Sequence, residues 1–255
     1  MRLIRPWVKL LSAIVYTLTI YVIYMPGYLL TYPFKTFHSA WRNLYMRVWS
    51  HGMCLFLNIH VKTEGVPPKP PFFIVSNHLS YIDIISLYLN LKCTFVAKKE
   101  VRSWPVLGFM VMTMGVVFID RSRKKDVVRV NQILSESLHK RQGIAVFPEG
   151  TTSGGEGILP FRPPLLQYPA DMNLPVYYSS LRYETNEAKG DLHARESVCF
   201  FGAREPFHKH LFKLASNKRI NCTVRFCEKP IKDGDRKQLA EKLREGVVSI
   251  FDPMV

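Results

Sequence analysis

From Phe72 onward, short apolar runs bounded by turn residues alternate with longer segments of helical periodicity, and this alternation leaves few architectures open to the chain. Phe72–Ser76, Thr94–Ala97, Val116–Ile119, Ile144–Phe147, Val176–Leu181, Val198–Phe201 and Asn221–Phe226 read as strands. Ile82–Leu91, Trp104–Met114, Val127–His139 and Arg236–Phe251 read as helices; in the third, Val127, Val130, Leu134 and Leu138 recur at helical spacing and form a buried stripe. The pattern predicts an α/β fold, a largely parallel mixed sheet flanked by helices. A chain of 255 residues can bury the core of one such domain and still carry a terminal appendage. It contains no internal repeat, no low-complexity tract and no sign of a second α/β unit.

Two polar clusters follow strands. Asn77-His78-Leu79-Ser80-Tyr81-Ile82-Asp83 comes after the first run, and Pro148-Glu149-Gly150-Thr151-Thr152 after the fourth. Ligands of open α/β sheets sit beyond the carboxyl ends of strands, so the two clusters could share one crevice. His78 with Asp83 offers a base and a carboxylate to orient it. A structural reading stands beside this one: Ser80 and Asp83 fit a capping box, and Glu149-Gly150 fits a turn that ends a strand. A carboxylate in the first helical turn is favoured by the helix dipole, so Asp83 can serve both purposes.

Asn77–Asp83 resembles the NHxxxxD block of the glycerolipid acyltransferases. Gly115-Val116-Val117-Phe118-Ile119-Asp120-Arg121 resembles the second block of that family, Phe147–Thr151 the third, and Leu174-Pro175-Val176-Tyr177 a degenerate fourth. The blocks keep the family's order across roughly residues 58 to 185. The resemblance implies an O-acyltransferase of phospholipid biosynthesis. It would move an acyl group from a thioester of coenzyme A or acyl-carrier protein to the free hydroxyl of 1-acyl-sn-glycerol-3-phosphate, giving phosphatidic acid. It implies no further cofactor, and the histidines make no HExxH or other metal-ligand pattern.

In this scheme His78 takes the proton of the acceptor hydroxyl, and Asp83 holds the imidazole tautomer and stabilises the cation that forms. The nucleophile belongs to the substrate, so no acyl-enzyme is expected, in keeping with the lack of a GxSxG elbow. Carried over from the family, Arg121 and Glu149 bind the glycerol-phosphate part. Gly150 and Thr151 would bring backbone N–H groups close to an anion, and Lys98, after another strand, would add a cation. Two departures point to other lysolipids, lyso-ornithine lipid among them. Thr152 stands where many lysophosphatidate enzymes have arginine, and Phe161-Arg162-Pro163-Pro164 replaces a basic-glycine pair. A thioesterase, or a basic membrane-binding protein without activity, are the readings from other classes.

The formal charge of +15 implies an anionic partner. No helix-turn-helix, zinc-finger or ribonucleoprotein motif accompanies it, so a membrane surface is favoured over nucleic acid. The five cysteines are odd in number and contain no CxxC, which suits a reducing compartment and an active site on the cytoplasmic side of a membrane. No charge interrupts Leu10 to Phe34, although Pro26-Gly27 breaks the run and leaves Leu10–Met25 as the continuous helix candidate. Basic residues flank both ends, so the charges give no orientation. Tyr21, Tyr24, Tyr28 and Tyr32 would line one face at headgroup depth, and Trp41, Leu44, Tyr45, Val48 and Leu55 would make a second helix amphipathic. Residues 1–57 are thus expected to form a two-helix membrane anchor lying in one leaflet, with the acyltransferase domain at 58–255. The sequence leaves the oligomeric state open.

Overall fold

The computed structural model describes residues 4–103, 107–120, 124–138, 141–201 and 205–254. One seven-stranded sheet contains β1 (Ile59–Glu64), β2 (Phe73–Ser76), β3 (Cys93–Lys98), β4 (Val117–Ile119), β5 (Gly143–Val146), β6 (Val176–Thr185) and β7 (Ile220–Phe226). Their order across the sheet is β1-β7-β6-β2-β5-β3-β4. Every neighbouring pair is parallel except β6 with β7, so the sheet is mixed, as the alternation implies. The helices are α1 (Ile4–Thr31), α2 (Lys35–Leu57), α3 (Asp83–Asn90), α4 (Leu107–Thr113), α5 (Lys124–Ser137), α6 (Gln167–Asp171), α7 (Ala194–Ser197), α8 (Phe207–Ser216) and α9 (Arg236–Ser249).

Successive strand residues point to opposite faces, and the two cores follow that alternation. Ile74, Ala145 and Phe147 belong to a core shared with Tyr24, Tyr45 and Met46 of the N-terminal helices, Ile85 and Leu87 of α3 and Leu214 of α8. Phe73, Val75, Ile144 and Val146 face the other side, where Val130 and Leu134 of α5 meet Leu239, Leu243 and Val247 of α9. The central strands are apolar on both faces because helices cover both. Beside the edge strand β1, β7 alternates: Ile220, Cys222, Val224 and Phe226 are buried, while Asn221, Thr223 and Arg225 are only half-buried.

Several expectations change. Val198–Phe201 is not a strand: it leaves α7 as irregular chain, with Val198 and Cys199 buried and the Phe200 N–H bonded to the Leu79 carbonyl at 2.9 Å. Its apolar character reflects packing beneath the His78 loop, not a sheet neighbour. β1 and α8 were not expected. β1 is an edge strand whose Lys62 and Glu64 carry the charges such an edge needs, with Glu64 paired to Lys62 at 2.7 Å and to Arg225 at 2.5 Å.

Pro26 does not end the first helix, which runs unbroken from Ile4 to Thr31. Its surroundings explain this. The Trp41 indole donates to the Tyr24 carbonyl at 3.1 Å and lies flat against Gly27, where an added Cβ would come within 2.2 Å of the ring. Gly52 receives Tyr16 in the same way from the opposite helix. Two glycines thus let α1 and α2 pack ring against backbone along their length, and this contact supports α1 as it continues through the proline. The tyrosine row is also turned inward. Tyr24 is fully buried, its hydroxyl donating to the Thr113 carbonyl at 2.9 Å, and Tyr21 shares a 2.9 Å hydrogen bond with the Thr113 hydroxyl; only Tyr32 is exposed. The outward faces carry apolar residues instead, Leu11, Ile14, Leu18 and Val22 on α1 and Phe37, Leu44, Val48 and Leu55 on α2. α1 is long and apolar enough to cross a membrane.

Candidate active site

β2 and β5 lie side by side in parallel, so the loops at their carboxyl ends emerge together. The loop after β2 is anchored first by Asn77. Its fully buried amide accepts from the Leu181 N–H at 2.7 Å and donates to the Leu181 carbonyl at 2.9 Å, which fixes the chain to β6. His78 follows, with about a fifth of its side chain exposed, and its ring stacks on Phe147 at 4.1 Å between centroids.

His78 Nδ1 lies 2.7 Å from Asp83 Oδ2. The same oxygen accepts from the backbone N–H groups of Leu79 at 2.7 Å and Ser80 at 3.0 Å, and Oδ1 accepts from the Tyr183 hydroxyl at 2.8 Å. Asp83 is completely buried, and four donors supply what water would otherwise provide. A carboxylate in that setting can only accept, so Nδ1 carries the imidazole hydrogen and Nε2 of the neutral ring keeps its lone pair. Half of the capping box also forms. Asp83 reaches back to the Ser80 N–H, but the buried Ser80 hydroxyl finds no partner. The two readings of this carboxylate hold together.

Glu149 lies against the same loop. Its Oε1 accepts from the His78 N–H at 2.9 Å, and its Oε2 from the Leu159 N–H at 3.3 Å. The side chain is almost wholly buried, and burial pushes its pKa up to about 8, with the Asp83 charge adding to the rise; the two amides and Arg244 oppose it. Glu149 therefore clamps three segments together: the His78 loop, its own strand end and the Leu159 loop. The Ser153 N–H, bonded to the His78 carbonyl at 2.8 Å, adds a second tie. Gly150 has a φ of +74°, which a glycine adopts without strain, and its N–H closes a turn onto the Phe147 carbonyl at 3.1 Å.

Lys98, Gly150 and Thr151 come together around a cleft of about 740 Å³, walled also by Lys99, Asp120 and Arg162. Lys99 is held by Asp120 at 2.7 Å. Glu149 and Thr151 border a neighbouring cavity of about 480 Å³ with Arg162 and the Leu159–Pro164 segment. Arg121 lies outside the described residues, although Asp120 before it reaches the cleft. The site also contains residues that sequence reasoning assigned no part. Tyr183 comes from the far end of β6, and no motif marks it. Arg162 was noted only as a departure from the family pattern.

This arrangement has relatives. A family model described as Acyltransferase matches residues 58–179. The 1-acyl-sn-glycerol-3-phosphate acyltransferase of Neisseria meningitidis is 32% identical over 203 residues, spanning 78% of this chain and 77% of the relative. The lyso-ornithine lipid O-acyltransferase of Pseudomonas aeruginosa is 30% identical, across 79% of this chain and 76% of the relative. Among solved structures, the crystal structure of the 1-acyl-sn-glycerophosphate (LPA) acyltransferase PlsC of Thermotoga maritima shares the fold, with a TM-score of 0.66 at 19% identity over 98% of both chains. With the family model and this extent of identity, the chain belongs to the acyltransferase family and is an O-acyltransferase.

Proposed function

We propose that the chain transfers an acyl group from a thioester, on coenzyme A or acyl-carrier protein, to the free hydroxyl of 1-acyl-sn-glycerol-3-phosphate, yielding phosphatidic acid. The observation that carries this reading is the 2.7 Å contact between His78 and the fully buried Asp83, on a loop that Glu149 ties to the Thr151 and Arg162 segments bordering the Lys98 cleft. His78 Nε2 takes the hydroxyl proton as the acceptor oxygen attacks the thioester carbonyl. The tetrahedral oxyanion collapses by breaking the carbon–sulfur bond, and the imidazolium returns the proton to the departing thiolate. Asp83 stabilises that transient cation. Thr151, whose N–H follows the Gly150 turn, is the backbone donor for the oxyanion. Lys98, Arg162 and Arg121 neutralise the acceptor phosphate, and Glu149 sets the loop that presents His78.

Lyso-ornithine lipid is the second reading, supported by Thr152 in place of a cation and by the Pseudomonas relative. Residues 1–57 serve as the anchor, the exposed apolar faces of α1 and α2 lying in the cytoplasmic leaflet with the catalytic domain, 58–255, on the cytoplasmic side. Parallel assays with lysophosphatidate, lyso-ornithine lipid and lysophosphatidylcholine, each with acyl-coenzyme A and acyl-carrier protein as donor, test the assignment. Lysophosphatidate should give the highest kcat/KM. A higher value with lyso-ornithine lipid selects the second reading, and release of free fatty acid at the same rate without acceptor would contradict both.

A further inference from the structure

A separate cavity of about 430 Å³ opens at the opposite edge of the sheet, by the amino ends of β3 and β5. Asn43, Leu44 and Arg47 of α2 form one wall; Tyr88 of α3, Lys92 before β3 and Arg141 before β5 form the others. Three cations line it, and among the described residues no carboxylate does. The lengths of β2 and β5 separate it from His78, so the acyl-transfer site does not use these charges.

Its position on α2 suggests an occupant. Phe37, Leu44, Val48 and Leu55 are all exposed and recur at intervals of seven and four, which puts them in one narrow stripe. Arg47 stands about 80° round the helix from that stripe. Trp41 and Gly52, which meet α1, lie on the other flank. The cavity therefore begins where the apolar stripe ends, on the side away from α1. Arg141 bridges the two, its guanidinium lying over the Phe37 ring at 6.0 Å. Asn43 keeps the floor in place by donating to the Arg141 carbonyl at 3.0 Å and to the Gln142 side chain at 3.2 Å, while its own Oδ1 is buried without a partner.

We propose that this cavity binds the anionic headgroup of a bilayer phospholipid. Guanidinium and ammonium groups match the phosphodiester oxygens. The acyl chains lie along the Phe37–Leu55 stripe. A free anion would gain nothing from that stripe, which is why a lipid is the occupant. The proposal rests on the leaflet reading of α1 and α2, and the test separates the two.

Binding of the full chain is measured by co-sedimentation with vesicles of phosphatidylcholine alone and with phosphatidylglycerol added. The wild type should bind both, and the anionic vesicles more tightly. Each basic residue near a membrane surface contributes about 1 kcal/mol, so Arg47→Gln/Lys92→Gln should partition about tenfold to thirtyfold more weakly to anionic vesicles and unchanged to phosphatidylcholine. Lys232→Gln/Lys237→Gln, two exposed lysines on the α9 side, is the control and should lose far less. An equal loss in the control would reduce the effect to general charge and overturn the site. So would full displacement by inorganic phosphate at matched ionic strength. Tight binding to phosphatidylcholine with no gain from phosphatidylglycerol defeats the headgroup site alone, whereas binding to neither vesicle defeats the leaflet reading first.

Discussion

Asp83 concentrates the logic of the site in one side chain. A buried carboxylate costs several kcal/mol unless it is paired and hydrogen-bonded. Here two backbone amides, a tyrosine hydroxyl and the imidazole share the cost. Tyr183 reaches Asp83 from β6. Glu149 gives this scale its pH dependence. Its pKa lies above the ordinary 4.5, at about 8, mainly through burial. The folded state therefore holds that proton more tightly than the unfolded chain, a stabilisation fully present below about 4.5 and lost as pH rises through about 8. Glu149→Gln keeps an acceptor for the His78 N–H but does not titrate. Urea unfolding of both proteins across this range should show the wild type losing stability relative to the variant between about pH 5 and pH 8, and a constant difference above that. A difference that stays flat throughout would contradict the shift. At this scale His78, Asp83 and Glu149 were legible as a cluster because all fall at strand ends within blocks of fixed spacing. Tyr183 was not, because its partner lies a hundred residues away in sequence and only the β2–β6 pairing brings them together.

At the scale of elements, close approach of backbone and ring decides the N-terminal hairpin. Glycine inside a helix normally costs about 1 kcal/mol relative to alanine, so Gly27→Ala in a free-standing helix would stabilise it. Against Trp41 the sign reverses, because the new Cβ would fall 2.2 Å from the indole and force it aside. Overpacking of this kind costs about 1–3 kcal/mol. Gly27→Ala should lower the thermal midpoint and speed amide exchange in α1; an unchanged or raised midpoint would show that the hairpin is not packed in this way. Elements buried on both faces were the easiest to read, which is why β2, β3 and β5 fall close to their expected positions, and α9 followed from its single stripe of Leu239, Leu243 and Val247. Reading failed where tertiary contact overrides local pattern. Pro26 is carried through by α2, Val198–Phe201 is apolar for the sake of a loop, and β1 carries alternating charges that suit only an edge.

Across the whole molecule, the two ends of the sheet differ. Its carboxyl edge gathers the loops of β2, β3 and β5 around the candidate active site, and its other edge opens a basic cavity beside the exposed stripe of α2. The α1–α2 hairpin spans the distance between them: Lys9 donates to the Leu57 and Asn217 carbonyls near one end, at 2.9 and 2.6 Å, and Thr31 meets His38 at the other. A high formal charge and an uncharged N-terminal run pointed to a membrane from composition alone. How charge and apolar surface are arranged could not be read that way, because the tyrosines expected to face the headgroups pack inward. The account as a whole rests on His78 acting as the base. Its most direct test is the rate of acyl transfer by His78→Ala, in protein whose melting and vesicle binding match the wild type. Transfer should fall by about 100-fold to 10,000-fold, the usual worth of a positioned general base; turnover near the wild-type rate would contradict the mechanism.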